Sequence, residues 1–195
     1  MWAAAAGHKA ENEKNGVMIM NKTNGRTETF KMVLAALFAA LGVLLPTIFH
    51  AFNMMGPIFL PMHIPVLLCG LICGWKYGLL VGIIAPLISS VATGMPPLYP
   101  TGIAMILELA TYGTVTGLVS KKQNHFVALV SAMLCGRVVS GLANLVLLGV
   151  GKYGIKAFLT GSFVTAFPGI ILQLVLIPAV MVMLQRTHVL DKLKA

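Results

Sequence analysis

The sequence predicts an all-α integral membrane protein, a bundle of six transmembrane helices with both termini in the cytoplasm. Of its 195 residues 58% are hydrophobic and only 10% are charged, with mean hydropathy +0.91, whereas soluble domains carry roughly 25% charged residues. The apolar residues gather into six runs, most of them close to the ~20 residues a helix needs to cross the hydrocarbon core. With the N-terminus inside, eleven of the 14 Lys and Arg fall in the inner tails and loops, Lys152 and Lys156 lie outside, and Arg137 sits within a run. That is a strong positive-inside bias, and it accounts for the net charge of +9 without invoking nucleic acid.

Residues 1–27 are polar and of mixed charge. They read as a flexible cytoplasmic tail, expression-derived in part, with no apolar core for a cleavable signal peptide. The membrane domain is expected over 28–187, and 188–195 as a short basic cytoplasmic tail. The first span, about Phe30 to His50, carries Ala35, Ala36, Ala39 and Ala40, two overlapping small-residue pairs at i, i+4. Small residues on one face let another helix approach closely in lipid, either within the bundle or from a partner.

The second span, about Pro57 to Trp75, opens with Pro57, Pro61 and Pro65. Proline removes a donor and clashes with the preceding turn, so an irregular or re-entrant lead-in bearing His63 is expected, then a helix from about Pro65. Irregular backbone at membrane depth is tolerated where it lines a cavity. This makes Asn53, Met54 and His63 candidates for the rim of a site, with a structural histidine as the plainer alternative for His63. Trp75, Lys76 and Tyr77 read as an interfacial turn. The third span, about Gly78 to Val91, ends in TGMPPLYP, a proline-stiffened wall that includes Tyr99.

The fourth span, Pro100 to Lys122, holds the one charge between Tyr77 and Ser120, Glu108, with Tyr112 one turn away on the same face. The fifth, about His125 to Val150, holds Arg137 and, two turns on, Asn144; the sixth, about Phe158 to Leu184, holds Gln173. Isolated charges at membrane depth are costly and usually face the protein interior, marking a site or pathway. Glu108, Tyr112, Arg137, Asn144 and Gln173 are therefore expected to converge on an outward-opening pocket with apolar walls. A structural ion pair joining spans four and five is the alternative, and the two readings are compatible.

Catalytic patterns are scarce. The chain has no Walker A sequence, HExxH or GxSxG, and no aspartate before Asp191, so no enzyme activity, metal site or cofactor is expected. Cys69, Cys73 and Cys135 lie in apolar runs without redox or zinc spacing and read as small packing residues. A stand-alone proton-coupled carrier using Glu108, or a membrane assembly protein that transports nothing, remain rival readings.

The alanine pairs, the run PMHIPVLLCGLICGWKYG, the turn TGMPP, the ELATYG of span four and the GR of span five together resemble the substrate-binding S components of energy-coupling factor (ECF) transporters. The likeness covers roughly residues 30–185 and is similar to the branch that includes riboflavin and pantothenate S components. It implies a multi-pass protein of a prokaryotic plasma membrane that captures a vitamin or related micronutrient from outside, pantothenate being favoured if Arg137 pairs with a carboxylate. It also implies docking through the first-span alanines onto a membrane coupling subunit, two cytoplasmic ATPases driving uptake, and a gate at about Phe49 to His63. On this reading, a bulky residue at Ala35 or Ala39 abolishes uptake but spares binding, whereas an apolar residue at Glu108 or Arg137 weakens binding itself; uptake and binding assays on the purified variants check both.

Overall fold

The computed structural model describes residues 2–51, 56–149 and 154–187. These residues are helical with no strand among them. In chain order they form α1 (Trp2–Ala51), a single turn α2 (Gly56–Phe59), α3 (His63–Cys73), α4 (Trp75–Thr93), α5 (Ile103–Val119), α6 (His125–Leu148), a short α7 (Ile155–Leu159) and α8 (Phe167–Arg186). Wide π-helical turns at Leu98–Gly102 and Thr160–Thr165 lead into α5 and α8.

Among the described residues five segments are long and apolar enough to cross a membrane: Gly25–Phe49, Trp75–Thr93, Leu98–Val119, His125–Leu148 and Phe167–Arg186. Large apolar side chains on their outer faces are exposed, among them Val33, Leu37, Leu142, Val146, Val175 and Met183. A soluble protein rarely leaves so many together, whereas lipid accepts them.

The expected second span departs from a full-length helix. α3 has 11 residues, about 16 Å at the helical rise against the ~30 Å hydrocarbon core. Its start is set by the prolines and by Leu60, whose φ of +51° is uncommon outside glycine and turns the chain before His63. Its end is set by Gly74 at φ +92°, so Trp75–Tyr77 form the first turn of α4 and not a separate interfacial turn. The expected last span is also interrupted. Apolarity runs on from Phe158, but the helix proper begins at Phe167, with Pro168 in the first turn, where a missing N–H costs nothing.

α5 is the hub. It packs along α4 and α6 and against α3, while α1 lies over α3 and α4. Val66, Leu67, Cys69, Leu109, Leu129 and Ile177 are fully buried in the resulting core. Three helices approach backbone to backbone at Gly113 of α5: a Cβ added at Gly70 would lie 2.6 Å from the Gly113 carbonyl oxygen, and one at Gly78 would lie 2.5 Å from it. Burying apolar surface gives little net gain between helices in lipid, so such close van der Waals packing is what holds them.

Gly78→Leu forces α4 off α5, and overpacking of this kind costs about 1–3 kcal/mol or more. It is expected to lower the Tm of the detergent-purified protein by at least about 4 °C. Gly25→Leu, which meets nothing within 4 Å, leaves Tm unchanged.

Candidate functional site

Glu108 and Tyr112 are one turn apart on α5, and the Tyr112 hydroxyl donates to Glu108 Oε1 at 3.0 Å. Below them the Thr116 hydroxyl donates to the Tyr112 carbonyl, continuing a polar line down an otherwise apolar face. α6 presents Arg137, whose Nη1 lies 3.1 Å from the same Glu108 oxygen. Gly136 makes that approach possible, because any side chain there would run into the Tyr112 ring.

The third contribution comes from α3. His63 stands at its first turn, its backbone N–H bonded to the Leu60 carbonyl at 3.1 Å, which anchors the main chain where the helix begins. Its Nε2 lies 3.5 Å from Glu108 Oε1, and its ring meets Tyr112 edge-on with centroids 5.2 Å apart. All four side chains are buried, with His63 and Tyr112 at 1% exposure, Glu108 at 6% and Arg137 at 8%.

The cluster is crowded on one atom and unfilled elsewhere. Oε1 of Glu108 takes the Tyr112 hydroxyl and the guanidinium, yet Arg137 Nε and both ring nitrogens of His63 are buried without a hydrogen-bond partner. Buried polar atoms in native proteins are nearly always paired, and each exception calls for a cause.

Above the cluster lies a cavity of about 340 Å³. His63, Glu108 and Arg137 form its polar floor; Pro46, Leu60 and Met62 wall one side, and Met95, Pro97 and Met105 the other. The loop side of this wall is braced internally, since the Ser89 hydroxyl donates to the Met95 carbonyl at 2.8 Å and the Ser90 hydroxyl to the Pro96 carbonyl at 2.7 Å.

The opposite end of the bundle holds an open cleft of about 790 Å³. Around it stand Glu28, Lys31, Lys76, Tyr77 and Lys121, with Glu28 bonded to Lys31 and to the Tyr77 hydroxyl, each at 3.0 Å. Lys31, Lys76 and Lys121 thus stand at one end of the helices and the cavity at the other.

Of the residues singled out from sequence, His63, Glu108 and Arg137 line the cavity and Tyr112 lies directly beneath it. Tyr99, Asn144 and Gln173 are not among its lining residues. Tyr99 is exposed and its hydroxyl donates to the Leu147 carbonyl at 2.8 Å, tying the proline-rich loop to the end of α6. Asn144 donates to the Ser140 carbonyl of its own helix at 2.9 Å. Gln173 is buried on α8 with its amide nitrogen unpartnered. Asn53 and Met54 lie outside the described residues.

Sequence reasoning missed the methionines of the wall and Thr101, also on the lining. Only Met105, one turn before Glu108 on its helix, carried a positional signal. Among the described residues no three His, Cys, Asp or Glu side chains come together as a metal site.

The four alanines of α1 divide. Ala35 is buried in the core and Ala39 is packed against it, while Ala36 and Ala40 are exposed.

A family model described as "ECF transporter, substrate-specific component" matches residues 30–181. No curated protein and no solved structure matches the chain. The match spans most of the chain and takes in the whole charged cluster and every residue lining the cavity; the chain belongs to the family of substrate-specific components of ECF transporters, a family of transport subunits and not an enzyme class.

Proposed function

We propose that this protein is the membrane subunit that captures a vitamin or related micronutrient at the outer face of a prokaryotic plasma membrane. It hands the molecule on for ATP-driven uptake by a separate coupling subunit and two ATPases. The observation that carries this reading is the cavity of about 340 Å³ over a buried ionic floor, in a chain whose family is defined by substrate binding. Its volume falls within the range of small-molecule sites, about 300–1,000 Å³.

The same reading takes the lysine-lined end as cytoplasmic and the cavity end as external, with the chain crossing six times and both termini inside. Support comes from the alternation of the helices between the two ends and from the charge bias. α3 then completes its crossing together with the turn that precedes it, within the protein and away from lipid. The polar residues 1–27 and 188–195 are taken as cytoplasmic segments on either side of the membrane domain.

A proton-coupled carrier is disfavoured, because Glu108 is engaged by Arg137 at 3.1 Å and a proton carrier needs a carboxylate free to exchange. Docking on the coupling subunit is assigned to the Ala36–Ala40 register, since these two alanines face outward, whereas Ala35 supports the core.

In proteoliposomes with coupling and ATPase subunits, Ala36→Trp or Ala40→Trp is expected to abolish ATP-dependent uptake while ligand affinity stays within about twofold. Ala35→Trp instead reduces the yield of folded protein. Uptake unchanged in both outward variants contradicts the docking assignment. Arg137→Leu strands the Glu108 carboxylate, a loss of about 3–5 kcal/mol for a buried pair. Ligand binding and Tm both fall in isothermal titration and thermal melts; unchanged affinity would remove the pair from the site.

A further inference from the structure

Resting on the reading of the cavity as the ligand site, we infer that its ligand is an uncharged heterocycle, and not a carboxylate. The charge balance of the floor comes first. Glu108 and Arg137 are the charged residues on the lining, 3.1 Å apart, and their charges cancel. A ligand carrying net charge, of either sign, would leave water for an apolar cavity with no countercharge waiting, and an unpaired buried charge is heavily penalised.

The pairing on the floor points the same way. Arg137 is the residue to which a carboxylate substrate would be assigned from sequence, but its Nη1 is already held at 3.1 Å by a carboxylate of the protein. Its Nε is enclosed by protein, so a ligand carboxylate would have to compete with Glu108 for the rest of the guanidinium.

On the other side of the floor both ring nitrogens of His63 are enclosed, with Nε2 3.5 Å from Glu108 Oε1. A ligand ammonium fares no better than a carboxylate, because the charge of Glu108 is already balanced by Arg137 at 3.1 Å.

The walls agree with the floor. Met62, Met95 and Met105 surround the cavity with Leu60 and Pro46, and thioethers pack well against ring edges and faces. A compact, flat, uncharged ring system meets each of these conditions.

A panel of heterocycles tests this, each supplied as carboxamide, carboxylate and aminomethyl forms and ranked by affinity for the full-length protein in nanodiscs at about pH 8, where an ordinary imidazole is neutral. The carboxamide forms are expected to bind at least about tenfold more tightly than either charged form. Glu108→Gln removes the negative charge and keeps the shape, leaving Arg137 unbalanced, and is expected to raise carboxylate affinity relative to carboxamide by at least about tenfold. If that variant fails to fold, the wild-type ranking stands alone as the test. Wild-type preference for a carboxylate or an amine overturns the inference and leaves the capture reading intact. Likewise, a Glu108→Gln variant that folds and keeps the wild-type ranking overturns the inference alone. A panel from which nothing binds, together with no small molecule retained through purification as read by mass spectrometry, overturns both.

Discussion

A carboxylate inside an apolar bundle persists only while its oxygens are occupied, and for Glu108 that condition reaches into three helices. Arg137 of α6 provides the countercharge, Tyr112 of α5 a hydroxyl, and His63 a ring edge at 3.5 Å from the start of α3. Each contact imposes a demand on the backbone. Gly136 must be bare for α6 to pass the Tyr112 ring, and Gly70, Gly78 and Gly113 must be bare for α3 and α4 to reach α5. The prolines before His63 and the left-handed Leu60 place the imidazole at the head of a helix. Glycines and prolines that look scattered in the sequence thus serve one arrangement.

The arrangement also separates two tasks along the membrane normal. One end carries the cavity over the Glu108–Arg137 pair; the other carries lysines, a tyrosine and the larger cleft. α1 touches both, with Pro46 on the cavity and Lys31 at the cleft, while its rotation turns Ala35 inward and leaves Ala36 and Ala40 outside. On the proposed reading, a helix that lines the cavity and turns two alanines outward would connect ligand capture with a partner in the bilayer.

Much of this was legible from residues because charge in hydrocarbon leaves few options. With Glu108 and Arg137 each alone in an apolar run, pairing was the economical outcome, and helical spacing alone put Tyr112 beside Glu108. The proline spacing announced an irregular approach to His63. Other features had no such signal. Four alanines on two successive turns do not say which register faces inward; the packing of Ala35 and Phe38 into the core decides that. Hydropathy runs unbroken through Gly74 and across Thr160–Thr165, so neither the short α3 nor the late start of α8 was visible in it. Isolation in an apolar run predicts convergence, but Asn144 satisfies itself on the preceding turn and Tyr99 on a distant carbonyl. The methionine walls were hidden for the opposite reason, since one apolar residue in an apolar run looks like any other.

The central claim is that the Glu108–Arg137–His63 floor holds the ligand in this cavity. The most direct measurement is an experimental structure of the protein purified with its natural ligand. Density is expected between Met62, Met95 and Met105, over the floor of His63, Glu108 and Arg137, with an uncharged ligand and the Glu108–Arg137 pair unbroken. Ligand density elsewhere in the bundle, or a ligand carboxylate that has displaced Glu108 from Arg137, would contradict it.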